Sequence, residues 1–522
     1  MAPVQMHRLH IRAHPVVNDA TASREFGAMI KTGTETGHTR PSLHDARLMR
    51  QFAYVGGRWI AGETGETIAV RNPGDGERLG EVASLTAEQS GAAVAVAHEA
   101  FADWSLTLPQ ERSAILRRWF DLIVEHKEDL ARLMTLEQGK PISEARGEID
   151  YAASFAEFYA EEAKRPNIES VTSHLPDAEM EVWLEPVGVA ALVTPWNFPC
   201  AMITRKAAAA LAAGCTVLIH PSHETPFSGL ALAELAERAG FPAGVFNVVT
   251  GDAATVVGAW TKDARVRAVS FTGSTEVGRL IYSQCAATVK RMVLELGGHA
   301  PFIVFADADL DRAVDEGIKA KFATSGQDCL GANRFYVARP LYKRFCELFA
   351  ERTRALSVGV GLDDPDIGPL MNERAVAKQV SHVEDALKHG AKLLAGGERH
   401  SAGPLFFQPT VLADVPDEAL IMREETFGPV AAITPFDTED EAIARANDSE
   451  YGLVAYVHTQ DARRTYRLTR ALTYGMVAVN RTKVTGAPIP FGGMKQSGVG
   501  REGAALGMQA FMELKYVCRD WA

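Results

Sequence analysis

Between residues 187 and 295, short apolar runs alternate with stretches of helical period, and this pattern constrains the fold more than any other feature of the chain. Runs at 187–193, 215–219, 245–249, 266–271 and 291–295 read as buried strands. Helical stretches at 201–213, 228–239, 253–260 and 277–286 separate them, and the first two are closed by Gly214 and Gly240, residues suited to a helix C-terminus. Such alternation predicts a parallel sheet with helices on both faces. Ligands of these sheets bind beyond the carboxyl ends of the strands. Asn197, His220, Gly273 and Glu295 all fall at or just past predicted strand ends. A second alternating stretch begins at Ala300 and holds Cys329. Residues 87–136 read mostly as helices, with Trp119, Leu122, Ile123, His126 and Leu130 recurring as packing residues.

With 522 residues the chain is long enough for two or more domains. Its 54 Lys+Arg against 66 Asp+Glu argue against a nucleic-acid partner, which needs clustered cations. No apolar run reaches the roughly 18 residues of a membrane span. The six cysteines are scattered, without CxxC or zinc spacing, and sparse cysteines in a large chain predict a reduced, cytoplasmic protein. Residues 1–41 read as a disordered extension, and their His7, His10 and His14 as a solvated tail rather than a metal site.

Three segments carry chemistry. Gly326-Gln327-Asp328-Cys329 offers a thiol, Glu295-Leu296-Gly297-Gly298 a carboxylate that ends a buried strand, and Pro195-Trp196-Asn197-Phe198-Pro199 a side-chain amide. Such a set can attack a carbonyl, hold the oxyanion and activate water. Phe271-Thr272-Gly273-Ser274 joins a strand to a helix, where a backbone can approach a pyrophosphate. Gly498-Val499-Gly500-Arg501-Glu502-Gly503 matches GxGxxG literally, but follows no clear strand and is rejected as a dinucleotide fingerprint.

In these motifs, and in their order from about Ser42 to the C-terminus, the chain resembles the aldehyde dehydrogenase superfamily, with the succinate-semialdehyde branch nearest. The resemblance implies an α/β fold of two doubly wound parallel-sheet domains plus a small strand-rich oligomerisation element. It assigns 42–165 and 184–296 to nucleotide binding, 297–480 to catalysis, and 166–183 with 481–522 to oligomerisation and a tail. It implies a homo-dimer or homo-tetramer, NAD or NADP as cofactor, no metal, and a small-molecule aldehyde as substrate. Cys329 is then the nucleophile, Asn197 the oxyanion donor and Glu295 the base that hydrolyses a thioester. Pro195, Trp196, His220, Ser222, His223, Gly273, Ser274, Glu425 and Phe427 become cofactor contacts, and Arg205, Arg481 and Thr485 substrate contacts. Lys206 reads as a surface lysine or a site residue.

Two departures from the family pattern stand out. His220 and His223 replace a ribose-binding lysine and a residue that separates NAD from NADP, so cofactor preference is expected to be altered or relaxed. Ala323 stands where a second carboxylate-gripping arginine would be, leaving Arg205, with Arg481 and Lys483 in an adjacent loop as replacements. The activity expected is NAD(P)-dependent oxidation of an acid-bearing semialdehyde. The alternatives are an aromatic, longer or neutral aldehyde, a silent binding relative, or a cofactor-free thiol esterase.

Overall fold

Val189–Val193 and Thr216–His220 are buried at every position, because a parallel strand with helices above and below has no solvent face. In the computed structural model, which describes residues 42–165 and 168–520, both lie inside an eight-stranded sheet. Its order is Gly498–Val499, Arg291–Glu295, Val266–Thr272, Val189–Val193, Thr216–His220, Phe246–Val248, Ala53–Val55 and Arg58–Ile60. Val189–Val193 pairs in parallel with Thr216–His220 on one side and Val266–Thr272 on the other. The chain therefore steps outward through Thr216–His220 and Phe246–Val248, then crosses back to the far side of Val189–Val193. That reversal opens a crevice at the carboxyl ends of Val189–Val193 and Val266–Thr272. Asn197 and Gly273 follow these two strands, and Glu295 ends the next one.

Element boundaries differ from the sequence expectation for local reasons. The helix expected at 201–213 is Pro199–Ala213, with proline in the first turn, where its missing N–H is no loss. Pro226–Ala239 starts early for the same reason. The first strand starts at Val189, after Gly188 with φ +131°. The helical region 87–136 resolves into Ala87–Trp104, Pro109–Glu125 and Lys127–Gln138.

A seven-stranded sheet runs Lys392–Ala395, Thr410–Ala413, Val430–Phe436, Ala332–Ala338, Ala300–Val304, Val454–His458 and Met476–Val479. It is parallel except for its first strand. Cys329 lies just before Ala332–Ala338, at the edge of this second body. A small antiparallel sheet sets Ala178–Pro186 between Met512–Asp520 and Ile168–Val171. The chain after 480 does more than form this sheet. Gly498–Val499 pairs with Leu294 and Glu295, and Met508 and Phe511 join the first core. The literal GxGxxG is thus a sheet-edge strand followed by the six-residue helix Ala504–Gln509. The expectations for residues 1–41, including His7, His10 and His14, and for Pro166 lie outside the described residues. Among the described residues no helix is long and apolar enough to cross a membrane.

All 15 residues of Pro199–Ala213 are buried, Arg205 and Lys206 included. The surface-lysine reading of Lys206 is therefore overturned: a helix packed on every side has no solvent face for it. Buried charges require partners, and both cations converge on Glu502, supplied by the C-terminal motif. A second buried pair, Lys140 with Glu148, secures the start of this helix. Glu148 Oε1 accepts the Cys200 and Ala201 N–H groups at 3.0 and 3.2 Å. Lys140 Nζ donates to the Asn197 carbonyl at 2.7 Å and lies 4.2 Å from the Phe198 ring centroid. Glu148→Ala strands Lys140 and two helix N–H groups, so a loss of about 3–5 kcal/mol is expected in urea unfolding, the range for breaking a buried pair. A loss under about 1 kcal/mol would assign the pair no structural role.

Candidate active site

The loop that presents Cys329 is held in a costly shape. Thr324, Ser325 and Gly326 have φ of +50°, +57° and +72°, a left-handed run that costs about 1 kcal/mol or more at each non-glycine position. Surrounding bonds fix it. Both Glu144 carboxylate oxygens accept the Thr324 N–H at 3.0 Å, Ser325 Oγ donates to Gly368 O at 3.0 Å, and Gln327 Oε1 accepts the Met371 N–H at 2.9 Å. Two glycines are dictated by space. A Cβ on Gly326 would collide with the Gly428 carbonyl, and one on Gly298 with the Cys329 carbonyl.

Asn197 Nδ2 donates to the Gln327 carbonyl at 3.1 Å. One amide hydrogen is thus anchored across the two bodies while the other stays available to an oxyanion over Cys329. Glu295 is buried, and its Oε1 has no hydrogen-bond partner among the described residues. Burial pushes its carboxyl up to about 8, with Arg205 acting in the opposite direction. A carboxyl tuned in this way takes up a proton near neutrality. Burial, then the Glu295 and Asp328 carboxylates, push the Cys329 thiol well up. The thiol therefore needs an adjacent base, and Glu295 is hydrogen-bonded to it.

Cys329 stands where two cavities meet. The first, about 610 Å³, is lined by Pro195, Trp196, Asn197, Gly273, Ser274, Glu295, Cys329, Glu425 and Phe427. Its donor set fits a dinucleotide. Ser274 caps the Thr275–Cys285 helix, whose first N–H groups have no intrahelical partner. Glu425 Oε1 accepts the Gly298 N–H at 2.7 Å, leaving Oε2 as an acceptor for a hydroxyl. Phe427 (φ +49°) packs edge-on against Trp196 at 5.6 Å between centroids. His220 and His223 do not line this cavity. His220 Nδ1 lies 2.9 Å from the Val249 carbonyl, and burial lowers its imidazole to about 4. A protonated His220 beside a 2′-phosphate is thereby corrected: too little water reaches the ring to stabilise the cation. His223 is exposed, and Ser222 accepts the Glu224 N–H at 3.3 Å.

The second cavity, about 320 Å³, holds Arg205, Thr485, Ala323, Lys483, Tyr151, Asp328 and Phe491 around Cys329. Arg205 stacks 4.2 Å over the Phe491 ring and places Nε 2.6 Å from Glu502, leaving Nη1 without a hydrogen-bond partner among the described residues. Arg481 lines neither cavity and is exposed, whereas Lys483, two residues on, does line the second one. Glu502, Tyr151 and Asp328 were missed as site residues. Glu502 and Asp328 sat inside motifs already quoted, so a charge at a buried motif position was the available signal. Tyr151 carried none.

The aldehyde dehydrogenase family model matches residues 59–517. The chain is 54% identical over 477 residues to a non-phosphorylating aspartate-semialdehyde dehydrogenase of Halomonas elongata, covering 91% of this chain and 97% of the relative. It is 51% identical to the NADP(+) succinate-semialdehyde dehydrogenase of Escherichia coli K12, covering 91% and 99%. A crystal structure of an E. coli NADP-dependent enzyme superposes with a TM-score of 0.91 at 50% identity, covering 92% of this chain and 100% of that one. The chain belongs to the aldehyde dehydrogenase family, a class of oxidoreductases.

A base whose carboxyl titrates near 8 works only when deprotonated, so kcat is expected to climb with pH through about 8. Glu295→Gln is expected to abolish that limb and to lower kcat by about 10²–10⁴. A wild-type profile that is flat between neutrality and the alkaline range would contradict the assignment.

Proposed function

We propose that this chain oxidises a semialdehyde bearing a distal acid group to the corresponding carboxylic acid, with NAD or NADP. The observation that carries the reading is the place of Cys329 on the shared wall of the two cavities. A thiol there meets an aldehyde from one side and a nicotinamide from the other. Bound dinucleotide would be held by Gly273, Ser274, Glu425 and Phe427, and it supplies the hydride acceptor.

Glu295 takes the thiol proton, and Cys329 Sγ attacks the aldehyde carbon. The Asn197 amide and the Cys329 backbone N–H hold the developing oxyanion. Loss of hydride from that carbon leaves a thioester on Cys329. Glu295 gives the thiol proton up to solvent and then takes a proton from water, which attacks the thioester; the acid leaves, and Glu295 returns that proton to the departing Cys329 sulfur. A carboxylate at this place favours hydrolysis over transfer to a thiol carrier, and the complete set of Cys329, Glu295 and Asn197 argues against a silent relative.

Arg205, Lys483 and Thr485 in the second cavity support a substrate with an acid group, as do relatives named for aspartate and succinate semialdehydes. The NADP(+) relative supports acceptance of that nucleotide, with His223 the imidazole able to meet its 2′-phosphate. The open edge of Met512–Asp520, with Leu514 and Tyr516 exposed, supports a homo-dimer or homo-tetramer. Unpaired cysteines support a reducing, cytoplasmic location. The two large sheets support a nucleotide-binding domain of 42–165 with 184–296 and a catalytic domain of 297–480.

Nucleotide reduction followed by absorbance across acidic and neutral aldehydes, with each nucleotide, tests the reading. Acidic semialdehydes are expected to lead. Arg205→Lys keeps a cation for Glu502 but loses the fork. It is expected to raise KM for acidic aldehydes about ten-fold while sparing neutral ones. A preference for neutral aldehydes would defeat the reading. His223→Glu is expected to weaken NADP binding relative to NAD in calorimetric titration, through like-charge repulsion.

A further inference from the structure

The second cavity is charged in a way that a plain acid semialdehyde does not use. Arg205, its innermost cation, is offset by Glu502 at 2.6 Å. Glu144 and Glu148 also border the cavity, but both are engaged, Glu144 by the Thr324 N–H and Glu148 by Lys140 and a helix start. Two charges remain. Lys483 at the mouth and Asp328 beside the nucleophile make no ion pair among the described residues. Asp328 accepts the Leu330 N–H through Oδ1 at 3.0 Å and also lies against the Cys329 thiol. Burial pushes the Asp328 carboxyl above its ordinary range, with the Lys140 and Arg205 charges acting against this from a distance, and Ala323 stands where a nearer cation would be. A carboxylate with no ion-pair partner next to the reacting carbon repels an anionic substrate, and a substrate cation at that point turns the repulsion into attraction and holds the carboxylate in its charged form.

We infer that Asp328 is a specificity residue that selects an aldehyde carrying an ammonium group on the chain between the carbonyl and its distal acid, an amino-acid semialdehyde. The ammonium sits against Asp328, and the acid reaches Arg205, Thr485 and Lys483. Rejection of the unsubstituted acid follows from the same carboxylate. This inference rests on the proposed function and deepens it.

The test uses the full chain with saturating nucleotide and three probes: succinate semialdehyde, its α-amino derivative and its α-hydroxy derivative. Wild type is expected to favour the α-amino compound over the parent by about 10–100-fold in kcat/KM, the worth of a charge-assisted hydrogen bond. Asp328→Asn is expected to remove that preference mainly through a higher KM for the α-amino compound. Asp328→Thr serves as a second variant, and the wild-type comparison stands without either. Equal or better turnover of the parent by wild type overturns the inference. So does an equal loss on all three probes in both variants, or a hydroxy derivative that matches the amino one. If wild type oxidises the parent and the Asp328 variants do not shift selectivity, only this inference fails. If wild type oxidises none of the three or other aldehydes, the proposed function fails with it.

Discussion

Buried charge neutralised by buried charge is the constraint on which the rest of this molecule depends. Pro199–Ala213 has no solvent face, yet it carries Arg205 and Lys206. Removing two cations from water is tolerable only with a carboxylate within reach, and Glu502 provides it from almost three hundred residues further on. The C-terminal segment is thereby pinned across the first sheet, next to Glu295, which pairs with Gly498 as Leu294 pairs with Val499. Lys140 and Glu148 do the same at the helix start, where they fix the Asn197 turn. The charges that hold the fold and the groups placed around Cys329 share one network. Burial pushes Glu502 up, and Arg205 with Lys206 more than offset this, so the carboxyl stays below the usual carboxylate range as an anion for both cations.

The site is made by two bodies and belongs to neither alone. Asn197 and Glu295 come from the ends of strands in the first sheet, while Cys329 comes from the loop before a strand of the second. Asn197 Nδ2 bridges them through the Gln327 carbonyl. Three consecutive left-handed residues aim the thiol at the join, and Glu144, Ser325 and Gln327 supply the bonds that keep them there. Strain of this kind, held by its surroundings beside a thiol, preorganises the loop for the attack proposed for Cys329. The same loop sets Cys329 where it lines both cavities.

Much of this was legible in the sequence. Alternation from 187 to 295 gave the parallel sheet, because strands with two covered faces read as continuous apolar runs. Motif residues pointed to Cys329, Glu295 and Asn197 and to Pro195, Trp196, Gly273, Ser274, Glu425 and Phe427, which the fold brings to one cavity, because strand ends are where such sheets place ligands. What stayed hidden depended on contacts distant in the chain. Lys206 looked like a surface lysine because a lone charge in an apolar helix does not announce its partner, and Glu502 lay in a motif read only for its glycines. Arg481 and Lys483 were indistinguishable as neighbours in a loop; their direction is set by the backbone, with Asn480 at φ +55°. The burial of His220 follows from Trp260 and Val249 packing around it, which no local pattern encodes.

The central claim is that Cys329 forms a thioester that Glu295 hydrolyses. Peptide mass spectrometry of the Glu295→Gln protein, incubated with an acid semialdehyde and nucleotide at alkaline pH so that solvent takes the thiol proton in place of Glu295, and then quenched in acid, tests it most directly. The account predicts one acyl group per chain on the Cys329 peptide, absent without nucleotide and absent in Cys329→Ser. An unmodified Cys329 peptide alongside full nucleotide reduction, or an acyl group on Cys200 or Cys346 instead, would contradict it.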